Sequence, residues 1–227
     1  MTRGLQRVFS EVAPSYDLVN HVLTLGWDIV WRRKAARLAA GCGGEAWLDV
    51  CSGPGEMARR LAALAPSGTL VAAADFTPAM VAASRARGRV RFVISEAGEL
   101  PFPGECFDLV TISFATRNIN TGREPLLARF REFRRVLKPG GLFLNLETSQ
   151  PPRPLIRKAF HAYIQTVVKP VGLLLSGSRS GYSYLASTIP MFFSAERLSE
   201  LILEAGFRSA DHLPLMFGAA AIHLARK

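Results

Sequence analysis

With 227 residues, 49% of them hydrophobic, the chain is long enough to bury one substantial core, and a single domain is expected. No apolar run approaches the roughly 18 residues of a membrane span. The opening MTRGLQRVFSEVAPSYD lacks the apolar stretch of a signal peptide, and Cys42, Cys51 and Cys106 match neither a zinc site nor a disulfide framework, so a cytoplasmic chain without metal is expected. The net charge of +10 sits in clusters such as Arg32-Arg33-Lys34, without a nucleic-acid motif or aromatic-basic alternation beside it. An anionic membrane surface and plain solvated helix faces both stay open as its explanation.

Residues 5–40 read as a helical prelude. Apolar stripes at Val8, Phe9, Val12 and at Leu18, Val19, Val22, Leu23 are divided by Ala13-Pro14-Ser15, and Gly26-Trp27 interrupts again before a third helix through Ala40. Tyr16 and Asn20, four apart, share a helical face. Trp47–Cys51 then reads as a buried strand broken by one acid, Asp49. Ser52-Gly53-Pro54-Gly55 demands a tight turn, and Met57, Leu61 and Leu64 continue at helical spacing. A strand, glycine turn and helix aim free backbone N–H groups at a nucleotide-like ligand. The run Gly53–Ala58 satisfies G-x-G-x-x-A, which leaves a dinucleotide open. Asp49 would repel a pyrophosphate, as would Glu56 at the helix start. S-adenosylmethionine, with an ammonium and a sulfonium and no phosphate, suits these acids better.

Thr69–Ala74 is the next strand, ending at Asp75, about twenty residues past the glycines, where a carboxylate would accept from ribose hydroxyls. Thr77-Pro78 starts a helix, with Thr77 as N-cap. Val90–Ile94 is a third strand, with Glu96-Ala97 at its carboxyl end where adenine would rest. Phe107–Phe114 is a fourth, with Ser113 near its end. Glu124–Leu137 is a helix stopped by Lys138-Pro139-Gly140-Gly141, before a fifth strand at Leu142–Glu147. From Ser149 a proline-rich start leads into an apolar, basic-flanked helical segment through Val168, and residues 149–194 read as a substrate-covering insertion. A helix at Ala195–Ala205 and an antiparallel pair, Phe207–Leu215 with Gly218–Ala225, close the chain. The alternation predicts an α/β fold: a mostly parallel seven-stranded sheet with helices on both faces, an antiparallel C-terminal pair and an N-terminal helical cover over residues 1–43.

The stretches VFSEVAPSYDLVNHVLTLG, LPFPGECFD, TISFATRN, RVLKPGG and GYSYLASTI, in this order, resemble the class I methyltransferase family that makes ubiquinone and menaquinone, called UbiE or MenG. The resemblance covers nearly the whole chain. It implies a Rossmann-like methyltransferase fold and S-adenosylmethionine held at Pro54, Asp75, Glu96, Ala97 and Ser113. Asp49, Gly53 and Gly55 would shape that site, and Cys51, Ser52, Phe76 and Met80 complete the candidate cofactor shell. It further implies C-methylation of a polyprenylated quinol ring. The chain departs from the family where GGTGD becomes Ser52-Gly53-Pro54-Gly55-Glu56, where FGLRN becomes Phe114-Ala115-Thr116-Arg117-Asn118, and at Ser187 and Pro214.

A quinol becomes a carbon nucleophile when its phenol ionises, and a nearby cation favours that ionisation. Arg117 is the first candidate for it, by charge or by relaying the proton through a water, since arginine holds its own proton. Asn118 would orient Arg117. Tyr182 and Tyr184, then His161 and Tyr163, are further candidates. Three function classes fit: the quinol C-methyltransferase, a methyltransferase for another small aromatic or lipid-like molecule, and a binding protein that keeps the fold without chemistry. A polyprenyl quinol is the expected substrate. An anionic surface, at the inner face of the cytoplasmic membrane, and a second copy of the chain stay open as partners; no nucleic acid is expected.

Overall fold

The structure, a computed structural model, describes residues 20–22, 24–84, 88–168, 170–171 and 186–227. Seven strands, β1 (Ala46–Val50), β2 (Leu70–Asp75), β3 (Arg91–Ile94), β4 (Phe107–Ser113), β5 (Leu137–Thr148), β6 (Ser209–Leu215) and β7 (Ala220–Arg226), form one sheet in the order β3-β2-β1-β4-β5-β7-β6. β1 through β5 are parallel, and β7 runs antiparallel between β5 and β6. The α-helices that lie wholly among the described residues are α1 (Trp27–Ala40), α2 (Glu56–Leu64), α3 (Pro78–Ala82), α4 (Thr116–Ile119), α5 (Arg123–Val136), α6 (Pro154–Tyr163) and α7 (Ala195–Glu204).

Alternation along each strand decides what the two faces bury. In β1, Trp47 packs with Trp31, Ala35, Ala36 and Ala39 of α1 and with Met57, Ala58 and Leu61 of α2. Leu48 and Val50 turn to the opposite face, against Leu126, Phe130 and Phe133 of α5 and Leu198, Leu201 and Ile202 of α7. Asp49 lies two residues on from Trp47, so the same period aims it at the α1 face. β2 flanks β1 on one side and β4 on the other, so the chain reverses direction of travel across the sheet at β1/β4. Ligands in open α/β sheets bind outside the carboxyl ends of the strands at such a point.

Three local expectations change. Lys138-Pro139-Gly140-Gly141 does not precede the fifth strand but lies inside it, where the pairing with β4 shifts register between Phe107 and Leu109. Gly141 is required there, because a Cβ would stand 2.9 Å from the Lys138 carbonyl oxygen. Thr77 holds the N-cap position of α3 without a side-chain cap hydrogen bond. The helix expected to run through Val168 stops as α-helix at Tyr163 and continues as a π-helical turn, Ile164–Val168. Tyr16, Lys169, Arg179, Tyr182 and Tyr184, together with the stripes at Val8–Val12, lie outside the described residues.

Candidate active site

At the carboxyl ends of β1 and β4 lies a recess of about 300 Å³ lined by Arg32, Asp49, Cys51, Ser52, Gly53, Pro54, Glu56 and Ser113. Cys51 and Phe114, the residues just past the two strands, both take left-handed backbone (φ +53° and +56°), which turns the chain sharply around the recess. Asp49 is 1% exposed. Its Oδ1 accepts a hydrogen bond from Thr111 Oγ1 at 2.7 Å on neighbouring β4, while Oδ2 is buried with no hydrogen-bond partner. Burial pushes its carboxyl up to about 7, against the pull of the Thr111 hydroxyl and the Arg32 guanidinium. Burial also pushes the Cys51 thiol well up, with Asp75 and Asp49 adding to it, so Cys51 is no thiolate nucleophile.

Asp75 ends β2 beneath the glycine turn. Its Oδ2 accepts from the Gly53 N–H at 2.8 Å and its Oδ1 from the Thr77 N–H at 2.8 Å, so one carboxylate fixes both the turn and the start of α3. An ionised carboxylate has about four lone-pair sites, and these two bonds leave acceptor capacity for a ligand hydroxyl. Burial raises the Asp75 carboxyl above its usual range, opposed by those two amides. Glu56, read from the sequence as a free charge, is instead paired with Arg60 at 2.6 Å and Arg59 at 3.1 Å. The case against a pyrophosphate therefore rests on Asp49.

Arg32 is the residue that sequence reasoning missed here. It is buried, it lines the recess, and its guanidinium stands 4.9 Å from the Phe114 ring centroid. The signal was present: Asp28, Trp31, Arg32, Ala35, Ala36 and Ala39 are the buried positions of α1, so Arg32 falls on the buried stripe while Arg33 and Lys34 are exposed. The recess thus offers one cation, an unpartnered buried carboxylate oxygen, and the unpartnered hydroxyls of Ser52 and Ser113. That donor set fits the ammonium and carboxylate of an amino-acid group. At Gly53 (φ +56°) no heavy atom lies within 4 Å of where a Cβ would stand, which leaves the turn open to a ligand. S-adenosylmethionine fits these residues. Of the other candidates, Ala97 is buried and Glu96 exposed at the end of β3, and Phe76 is half-buried. Met80 packs away from the recess, with Ile164, Val168, Ala186 and Ile189.

Arg117 sits on α4, four residues past Ser113, and is buried. Its backbone N–H, an orphan of the first helical turn, donates to Glu147 Oε2 at 3.1 Å, and its Nη1 donates to Thr188 Oγ1 at 2.6 Å. Glu147 Oε1 in turn accepts from the Thr148 backbone N–H and hydroxyl at 2.8 and 2.9 Å. Thr188 and Glu147, neither legible in the sequence, hold Arg117 in the role expected of Asn118. Asn118 is buried beside it, and its Oδ1 has no partner. His161 bonds Gln150 at 2.7 Å, and Gln150 donates to the Ile189 carbonyl at 2.7 Å; this ties α6 to the segment that carries Thr188. Beneath α4 runs a buried polar chain. Thr116 Oγ1 donates to Asn145 Oδ1, Asn145 Nδ2 donates to His223 Nδ1, and His223 Nε2 donates to the Ala195 carbonyl. Burial pushes His223 down to about 4, so it is the neutral ring that completes this chain.

Beside this cluster opens a groove of about 1010 Å³. Trp31 forms one wall, Ile156, Phe160, Tyr163 and Ile164 another, with Ile189 and Thr148 between them and Met216 and Phe217 at the rim. No residue of α6 is fully buried: its apolar side faces the groove, while Arg157 and Lys158 are exposed.

The chain matches the ubiE/COQ5 methyltransferase family over residues 2–227. It is 40% identical over 222 residues to the demethylmenaquinone methyltransferase of Thermus thermophilus, covering 96% of this chain and 98% of that protein. Identity to the demethylmenaquinone methyltransferase of Clavibacter sepedonicus is also 40%, over 95% of this chain and 87% of that protein. The ubiquinone/menaquinone biosynthesis C-methyltransferase UbiE of Hydrogenovibrio crunogenus is 36% identical, over 97% and 88%. Among solved structures, a SAM-dependent methyltransferase from Aquifex aeolicus shares the fold, with a TM-score of 0.57 at 17% identity over 81% of this chain and 82% of that one.

Proposed function

The chain belongs to the ubiE/COQ5 methyltransferase family and is an S-adenosylmethionine-dependent methyltransferase, and from that premise we propose that it C-methylates a polyprenylated quinol ring in quinone biosynthesis. One observation carries the substrate class. A large, apolar groove ends at the residues that hold Arg117: Thr148 lines it and bonds Glu147, and Ile189 lines it next to Thr188. Such a groove suits an isoprenoid tail, and Arg117, held behind Thr148 and Ile189 at its end, suits a phenol.

Bound S-adenosylmethionine would supply an electrophilic methyl group: in-line attack by the ring carbon would break the sulfur–methyl bond and release S-adenosylhomocysteine, and the ring proton would then leave to water. Asp49 Oδ2 would take the ammonium and Arg32 the carboxylate of its amino-acid end, and Asp75 would accept from its ribose. Arg117 lowers the cost of ionising the quinol hydroxyl, because a fixed guanidinium in a water-poor site stabilises the developing phenolate. A guanidinium holds its proton, so the phenolic proton leaves through a water hydrogen-bonded to Arg117. Thr188 holds that side chain, and Glu147 holds the backbone beneath it, so neither has to reorganise during the step. The wall at Trp31, Phe160 and Tyr163 holds the tail and excludes water.

Peripheral association with an anionic membrane is part of this reading. It is supported by the exposed basic residues Arg153, Arg157 and Lys158 on and beside α6. The test is incubation of the protein with methyl-labelled S-adenosylmethionine and a panel of demethylated quinols, with ring and tail varied separately. Label on a ring carbon, with a KM that falls as the tail lengthens, is expected. Label on oxygen, or no dependence on the tail, overturns the proposal.

A further inference from the structure

We infer that the groove's mouth is a pair of membrane-inserting lips: Leu25 on the turn before α1, and Met216-Phe217 on the turn between β6 and β7, enter the interfacial layer of an anionic bilayer. The inference rests on the lipid-tailed substrate proposed above. Both turns line the same groove, though they are far apart in the chain. Leu25 is 76% exposed and Phe217 77%. All three residues take left-handed backbone, with φ of +53°, +45° and +55° for Leu25, Met216 and Phe217. That conformation favours glycine or asparagine and disfavours large side chains. The fold thus combines strain with exposed apolar surface, two unfavourable features at one place, and neither is repaid by packing among the described residues.

Charge and continuity name the occupant. Leu155, 80% exposed, stands on α6 between Arg153 and the exposed Arg157 and Lys158, on the helix that walls the groove. Apolar side chains bordered by basic ones suit an interface of acyl chains and anionic headgroups. A tail dissolved in that layer reaches the groove between the lips without crossing water.

The lips can be removed without removing a fold contact of any size. Asparagine tolerates left-handed backbone, so Leu25→Asn and Phe217→Asn relieve strain while deleting apolar surface. Trp27 is 43% exposed two residues past Leu25 and reports insertion, and Trp47, fully buried, serves as an internal constant. The protein is mixed, without substrate, with vesicles of zwitterionic and anionic phospholipid brominated high on the acyl chain. Quenching of tryptophan fluorescence is expected for the parent, and part of it persists at high salt. In the double variant the salt-resistant part disappears, vesicle affinity falls about tenfold or more, and Tm rises by about 2 °C or more.

Several results would overturn the lips. The parent is not quenched; the double variant is quenched as strongly as the parent; or Tm falls, which makes the side chains structural. Conversion of a dimeric parent to a monomer by the double variant also overturns them, and makes the patch an interface between copies. Turnover of a short-tailed, water-soluble quinol by the parent is measured separately. Its failure counts against the proposed substrate and leaves the vesicle result standing.

Discussion

Two compartments meet at the carboxyl edge of the sheet, and they are built on opposite terms. The recess is small and polar, and its walls are strand ends and a glycine turn held by Asp75. The groove is more than three times larger and apolar, and its walls come from α1, α6 and turns that are far apart in the chain. The recess holds charges where water is scarce, so each group there is electrostatically expensive and geometrically fixed. The groove relies on area, so each of its residues counts for less. Substitutions in the recess should therefore move stability and cofactor affinity in large steps, and those in the groove should move substrate KM in small ones.

Asp49→Asn tests this contrast most severely. The Asp49 carboxyl is raised from 3.8 to about 7, so ionising it costs the fold about 4 kcal/mol at pH 8, at 1.36 kcal/mol per unit. Between those values the folded state binds the proton and the unfolded chain does not, so this group lowers stability as pH rises. His223, pushed from 6.5 to about 4, has the opposite sign. The unfolded chain binds its proton first, so its contribution grows by about 3 kcal/mol from pH 4 to 6.5. In the parent the two nearly cancel. Asp49→Asn should raise stability by about 4 kcal/mol at pH 8, weaken cofactor binding, and expose the rising slope of His223. Urea unfolding at a series of pH values reads all of this, and a profile no steeper than the parent's would remove Asp49 from the account.

Asp75→Ala removes the shared acceptor of the Gly53 and Thr77 amides. Cofactor affinity should fall by about 1.5–3 kcal/mol, roughly 10- to 150-fold. Calorimetry that finds parental affinity would place the ribose elsewhere. At the junction of the compartments, Arg117→Lys keeps the charge but loses the planar fork. Turnover should fall about tenfold with cofactor affinity intact, and the ascending limb of the pH–rate profile should shift to higher pH as the phenol becomes harder to ionise. An unchanged profile would leave Arg117 a structural residue. Phe160→Ala, in the groove wall, should have the smallest effect, raising KM for a long-tailed quinol about fivefold and by less as the tail shortens. A penalty independent of tail length would mean that the groove does not hold the tail.

The recess was far more legible in the sequence than the groove. Strands, the glycine turn, Asp49, Asp75 and Ser113 declare themselves through local periodicity and turn chemistry, which act over a few residues. Arg32 was hidden by composition, since Arg33 and Lys34 beside it are ordinary exposed cations and only the stripe Asp28, Trp31, Arg32, Ala35, Ala36 and Ala39 sets it apart. Glu147, Thr188 and His223 matter through partners 28 to 78 positions away, and no local pattern encodes those pairings. The turn at Met216 and Phe217 was placed by the strand pair on either side of it. Its conformation was not legible, because large side chains at positive φ are what propensity argues against.

Trp31 and Arg32 are consecutive on α1, yet one faces the groove and the other the recess. A single helix is therefore a party wall between two tenants. Any shift of α1 when one compartment fills reshapes the other, with Phe114, 6.3 Å from Trp31 and 4.9 Å from Arg32, as the ring both sides press upon. Thermodynamic reciprocity then fixes the bargain: by whatever factor one ligand tightens or loosens its neighbour's grip, the neighbour returns the same factor.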